Sequence, residues 1–141
     1  MIWFNKSLKV DDLQRLHKST MADFLEMEWV EVGEDYLRMR MPVIDKTKQP
    51  YGLLHGGASC ALAETIGSVA SAVVINHEEY KCVGLEINAN HVRSVSSGFV
   101  TATARPLHLG KKTHVWDIRI ENEEKQLVCI SRLTVAIIPY F

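Results

Sequence analysis

Apolar residues recur along this chain in two rhythms. Over residues 10–24 the spacing is helical, with Leu13, Leu16 and Met21 on one side of a short amphipathic helix. The rhythm then becomes alternating. Residues 25–32 set Leu25, Met27 and Trp29 against Glu26 and Glu28, and residues 36–43 set Leu37, Met39, Met41 and Val43 against Arg38, Arg40 and Pro42. Gly33-Glu34-Asp35 lies between the two runs, which predicts a β-hairpin. Pro42 has no N–H to give a neighbour, so the second strand is near its end or at an edge. After an irregular polar stretch over residues 45–51, the only long helix is predicted over 58–75. Six of its 18 residues are Ser, Thr, Gly or Glu, which argues against a membrane span. Strands follow over 81–92, 99–105, 113–121 and 126–138, broken at Ser96-Ser97-Gly98, Leu109-Gly110-Lys111 and Asn122-Glu123-Glu124. Helix, two strands, long helix, four strands, without βαβ alternation, is the order of an α+β fold with an antiparallel sheet. One helix covers one face of about six strands, so the other face and the edges are expected to meet a second subunit.

Winding the long helix at its natural period separates two stripes. Leu62, Ile66, Val69 and Val73 form an apolar stripe that reads as core. Gly57, Cys60, Ala61, Glu64, Gly67, Ser68 and Ser71 form a second stripe, small everywhere except at Glu64. Glu64 is also the only charge in the helix, and Ser68 stands one turn on, within reach of its carboxylate. A lone Glu on a helix more often just faces water, but a solvated face normally carries several charges. The residues before the helix add a second signal. His55-Gly56-Gly57 leads into a helix N-terminus, whose N–H groups are unpaired and partly positive. Glycine lets a ligand approach such a backbone closely. A Gly-Gly pair by itself can simply turn the chain; beside Glu64 it suggests an oxyanion site assisted by His55 or Gln49.

Composition narrows the classes. The 141 residues make one domain over 1–141, 47% apolar and 23% charged. Lys and Arg number 16 against 17 Asp and Glu, a balance unlike that of a nucleic-acid binder. An anionic ligand would need a local basic cluster, and Arg93, Lys111 and Lys112 at turns after strands could supply one, or simply be solvated. Cys60, Cys82 and Cys129 are scattered with no CxxC pair, so no disulfide framework or cysteine zinc site is indicated. Cys60 and Cys129 read as small hydrophobes rather than nucleophiles. The N-terminus lacks a signal-peptide core, and the cytoplasm is the expected compartment. His17 and His77 are expected at the surface. His91, His108 and His114 lack ligand spacing, so no metal is expected. There is no Gly-x-Ser-x-Gly elbow and no P-loop.

His55-Gly56-Gly57, followed by an apolar helix with Glu64 seven residues beyond Gly57, resembles the hotdog-fold thioesterases of the phenylacetate-degradation and 4-hydroxybenzoyl-CoA type. The likeness runs through four blocks: TKQPYGLLHGGASCALAETIGSVAS, VGLEINANHVRS, PLHLGKKTHVW and SRLTVAI. Within that family it is most similar to the bacterial 1,4-dihydroxy-2-naphthoyl-CoA thioesterases of menaquinone synthesis. The resemblance implies a long helix wrapped by an antiparallel sheet, dimers that join their sheets, frequent tetramers and active sites at the dimer interface. It implies an acyl-CoA substrate, with no separate cofactor. Glu64 would be nucleophile or general base, the Gly56 N–H the oxyanion contact, Gln49 and His55 neighbours of the carbonyl and leaving sulfur, and Ser68 a polar residue beside the acid. CoA contacts would come from Gly84, from His91, Val92, Arg93 and Ser94, and from His108, Leu109, Gly110, Lys111, Lys112 and Thr113. A related subgroup uses an Asp before the helix; Asp45 is the nearest such residue and ranks below Glu64. Two other functions use the same features: a hotdog dehydratase or hydratase on acyl thioesters, and a non-catalytic acyl-CoA-binding module. Against the first, His55 lacks a proline-rich loop.

Overall fold

The long helix starts two residues earlier than its apolar pattern suggests, because His55 caps it. In the computed structural model, which describes residues 1–140, α3 runs Gly56–Val74 and His55 Nδ1 accepts the Gly57 N–H at 2.7 Å. Phe141, the last residue of the domain expected over 1–141, lies outside the described residues. Six strands surround the helix: β1 (Glu28–Val32), β2 (Leu37–Pro42), β3 (Tyr80–His91), β4 (Phe99–Leu109), β5 (Thr113–Glu121) and β6 (Leu127–Pro139). They form one sheet in the order β1-β2-β4-β5-β6-β3, every pair antiparallel. The expected α+β architecture, a helix wrapped by its sheet, is therefore the observed one. Pro42 is the last residue of β2, which lies inside the sheet. β4 continues past the predicted Arg105 to Leu109, accommodating Pro106 at a register shift between Pro106 and His108.

The helix buries Leu62, Ala63, Ile66 and Ala70 against Leu133, Ile118, Trp116 and their neighbours. By length and hydropathy α3 could cross a membrane, but here it is the core element of the sheet. Its two faces differ from the sequence expectation. Gly67 and Ser71 belong to the buried side, whereas Val69 and Val73 are only half-buried. A Cβ on Gly67 would lie 2.5 Å from Leu133 Cδ2, so glycine permits the close approach of helix to sheet. Ser71 accepts the Trp116 indole N–H at 2.7 Å and meets His114 Nδ1 at 3.1 Å. That polar group serves the core.

The N-terminal region departs most from expectation. The single helix predicted over 10–24 is broken into α1 (Val10–Gln14), a 3-10 turn (Arg15–His17) and α2 (Met21–Phe24). Ser19 takes a left-handed φ of 61° between them, which rotates the second half away from the first. Leu13 stays buried, but Leu16 and Met21 are exposed. His17 is not a surface residue: it is 3% exposed and its Nε2 accepts the Trp29 indole N–H at 3.0 Å. Burial lowers its pKa, partly opposed by Asp23. His77 is exposed, as expected.

Strand β3 sets the stage for the site. It is an edge strand, 12 residues long, with Val83 and Leu85 exposed. A register shift between Gly84 and Glu86 changes which residues face the helix. Cys82 and Gly84 face it before the shift, and Ile87, Ala89 and His91 after it.

Candidate active site

The donors converge at the start of α3. The loop before it is a tight hairpin: Lys48 and Leu54 form a bridge, Gly52 takes a φ of 79°, and the Leu54 N–H donates to Val95 O at 2.7 Å. This loop presents Gln49. Its Oε1 accepts the Tyr51 N–H, which leaves the side-chain NH₂ free to donate. The His55 N–H donates to Thr47 O at 2.8 Å, fixing the cap residue to the loop. Because His55 Nδ1 accepts the Gly57 N–H, the neutral ring carries its proton on Nε2. No acceptor among the described residues takes the Gly56 N–H. The Gly56 N–H and the Gln49 NH₂ are therefore free to donate, and the exposed His55 ring, which does not line the cleft described next, carries a further N–H at Nε2. Such a cluster suits an oxygen that gains negative charge.

A cleft of about 350 Å³ opens beside these donors. Gln49, Gly56, His91, Val92, Arg93 and Ser94 line it together with Leu53, Leu54, Ser59 and Val128. The structure thus gathers the expected Gln49, Gly56 and 91–94 residues in one place. The link between Gly56 and β3 is direct, since a Cβ on Gly56 would lie 2.9 Å from His91 Nε2. Ser59, Leu53, Leu54 and Val128 escaped sequence reasoning. Ser59 is i+3 from Gly56, a signal available but unused; Val128 lies far along the chain and offered none.

Glu64 occupies a different station. Its carboxylate rests over Gly84, where any Cβ would collide with Oε1. It is half-buried, and desolvation raises its pKa, with no partner charge or hydrogen bond acting on it. Ser68 is half-buried one turn on; its carbonyl accepts the Cys82 thiol at 3.7 Å, and no hydrogen bond among the described residues joins its hydroxyl to Glu64. Glu64 follows Gly56 by eight residues, about 12 Å along the helix axis.

The other basic segment is remote within the chain. His108 and Leu109 end β4, and Gly110, Lys111 and Lys112 make the turn to Thr113. Thr113 pairs with Ala136 of β6, whereas His91 pairs with Cys129. Those stations are seven residues apart on β6, about 23 Å. Asp45 is exposed on the 3-10 turn Asp45–Thr47 and lines a separate surface hollow with Lys46 and Lys48, outside the cleft of Gly56. Cys129 is buried with its thiol pushed up to about 11, chiefly by burial, and Cys60 is half-buried. Among the described residues no cluster of three His, Cys, Asp or Glu could hold a metal.

Comparison with known proteins identifies the family. The thioesterase superfamily profile matches residues 51–129. The chain is 49% identical over 138 residues to the 1,4-dihydroxy-2-naphthoyl-CoA hydrolase of Escherichia coli K12, covering 98% of this chain and 100% of that one. It is 42% identical over 138 residues to the proofreading thioesterase EntH of Cronobacter turicensis, covering 97% and 98% of the two chains. The crystal structure of a glutamine-to-alanine mutant of a Pseudomonas aeruginosa thioesterase superposes with a TM-score of 0.96 at 44% identity, covering 99% of this chain and 100% of that one. A hotdog fold, a donor cluster facing a cleft and matches over nearly the whole chain lead to one conclusion: the protein belongs to the thioesterase superfamily and is a thioester hydrolase.

Proposed function

We propose that the protein hydrolyses aryl- or acyl-CoA thioesters, 1,4-dihydroxy-2-naphthoyl-CoA among them, to a carboxylic acid and free CoA. The observation that carries this reading is the division of labour between two stations on one helix. At Gly56 a free N–H stands beside the free Gln49 NH₂; at Glu64 a desolvated carboxylate has no partner, and we assign it as the base or nucleophile. The thioester oxygen accepts from the Gly56 N–H, helped by Gln49 and His55. The Glu64 carboxylate either attacks the carbonyl carbon, giving a mixed anhydride that water then cleaves, or takes the proton of the water that attacks. In both routes the C–S bond breaks and CoA leaves as its thiol. Ser68, one turn on, orients the carboxylate through a bridging water.

One carbonyl cannot touch two stations about 12 Å apart. A second copy removes the difficulty. If the free edges of two β3 strands pair antiparallel near Asn88, Gly84 of one chain lies opposite His91 of the other. The partner subunit's Glu64 then faces Gly56. The active unit is a dimer joined along β3, with two equivalent sites. The turn from His108 to Thr113 lies too far from Arg93 to serve the same site within one chain, so its lysines reach the CoA phosphates from another subunit. The oligomer is a dimer, or a tetramer built as a dimer of dimers. The cytoplasm is the proposed setting, consistent with three free cysteines.

The test is a kinetic panel of naphthoyl-, benzoyl-, fatty acyl- and enoyl-CoAs, following thiol release and enoyl absorbance. Hydrolysis of aryl or acyl members is the expected result. Loss of enoyl absorbance without thiol release would instead assign a hydratase, and binding without turnover a carrier. Incorporation of ¹⁸O into Glu64 during a single turnover in labelled water identifies the anhydride route.

A further inference from the structure

We infer that His91 is a further catalytic residue, a side-chain donor that shares the substrate oxyanion with the Gly56 N–H. The inference rests on the thioesterase reading above. The known chemistry requires a donor at the helix start, but it does not say what stands on the other side of the oxygen. Here the structure supplies a group. His91 Nε2 lies so close to Gly56 that a Cβ there would sit 2.9 Å from it, and 3.2 Å from two ring carbons. The imidazole is thus against the very backbone that carries the free N–H, and both groups line the cleft. The ring nitrogen and the free N–H thus border the same part of the cleft, where a substrate oxygen can meet both.

His91 is held where a donor has to be held. It is the last residue of β3, paired with Cys129, and the next amide, Val92 N–H, donates to Val128 O at 2.9 Å. A strand end fixed by the ladder positions a side chain better than a loop does. Neither ring nitrogen bonds to another described residue, whereas the cap takes Nδ1 of His55, Trp29 takes Nε2 of His17 and Ser71 meets Nδ1 of His114. In the tautomer that carries its proton on Nε2, the ring donates to substrate. This also gives Gly56 a second reason to be glycine: any side chain would push the imidazole off the oxyanion.

A simple CoA contact would affect binding, whereas an oxyanion donor acts on the chemical step. The full-length protein is assayed with its best panel substrate as wild type, His91→Phe, His91→Gln and Glu64→Gln, with thermal melts for each. His91→Phe keeps a ring over Gly56 without a donor, and His91→Gln restores an N–H. The expected result is a fall in kcat of about 10²-fold for His91→Phe at nearly unchanged KM, with partial recovery in His91→Gln. A kcat for His91→Phe within about threefold of wild type, or a rise confined to KM, overturns the inference. If His91→Phe melts early, the His91→Gln variant decides alone: equal loss in a folded His91→Gln enzyme also overturns it. Activity in wild type, its loss in Glu64→Gln and indifference to His91 would refute His91 while keeping the thioesterase reading. No turnover by wild type on any thioester refutes both.

Discussion

The two ends of α3 treat polar groups in opposite ways. Toward its C-terminus, Ser71 is fully buried and fully used, taking the Trp116 indole N–H while touching His114. Toward its N-terminus, the Gly56 N–H and the Glu64 carboxylate have no partner among the described residues, and Glu64 is held in an environment that disfavours its charge. In a mostly apolar helix, either kind of polar group costs free energy unless it is satisfied. Ser71 is satisfied by the protein. Glu64 and Gly56 wait for something else. The contrast separates structure from chemistry on one element, and it can be probed from both sides.

The largest effect should come from Glu64→Gln, which removes the base or nucleophile but keeps the shape. We expect kcat to drop by about 10³-fold or more while CoA affinity persists, measured by steady-state kinetics and product binding. Near-wild-type kcat in that variant would end the proposed mechanism. The opposite end should respond oppositely. Ser71→Ala strands the Trp116 N–H inside the core and should cost about 1–3 kcal/mol in denaturant unfolding, with kcat unchanged. A Ser71→Ala enzyme of full stability but poor kcat would erase the distinction between the two ends. Arg93, Lys111 and Lys112, replaced together by Ala, should raise KM about tenfold or more and spare kcat. An unchanged KM would remove the basic residues from the binding site.

Two smaller effects follow from the raised pKa of Glu64. Hydrolysis needs the ionised carboxylate, so the acid limb of kcat/KM should have its midpoint above the ordinary 4.5. A midpoint below 4.5 contradicts the desolvated site. The same shift bears on stability. The folded protein holds the Glu64 proton more tightly than the unfolded chain does, so ionisation destabilises the fold as pH rises above the unfolded value near 4.5. Glu64→Gln should therefore melt at a higher temperature than wild type near neutrality, and the advantage should vanish below pH 4.5. The opposite trend would mean that a partner stabilises the charge.

Much of this organisation is legible in the residues. Alternation in 25–32 and 36–43 announces the first hairpin, and the paucity of charge over 58–75 isolates Glu64. The errors have identifiable causes. Periodicity puts Gly67 and Ser71 on the stripe of Glu64 because it assigns only angles, whereas the approach of Leu133 and the indole of Trp116 decide which small residues lie inside. His17 looked like a surface histidine because its partner Trp29 belongs to the next strand. Residues 10–24 keep helical spacing up to Ser19, whose left-handed backbone breaks the pattern without a glycine to warn of it.

By itself, then, the chain's order of apolar and polar residues determined the strands, the α+β class, the helix that carries Glu64 and the glycines at its start, though not the broken N-terminal helix. These are local properties, set by period and by the backbone freedom of a few residues. Tertiary structure alone decided that His91 lies against Gly56, that Gly84 makes room for Glu64, and that the turn from His108 to Thr113 stands far from Arg93. Those facts depend on strand register, including the shift between Gly84 and Glu86. Register is settled by packing across distant segments, because moving one strand by a single residue reverses every side chain on it.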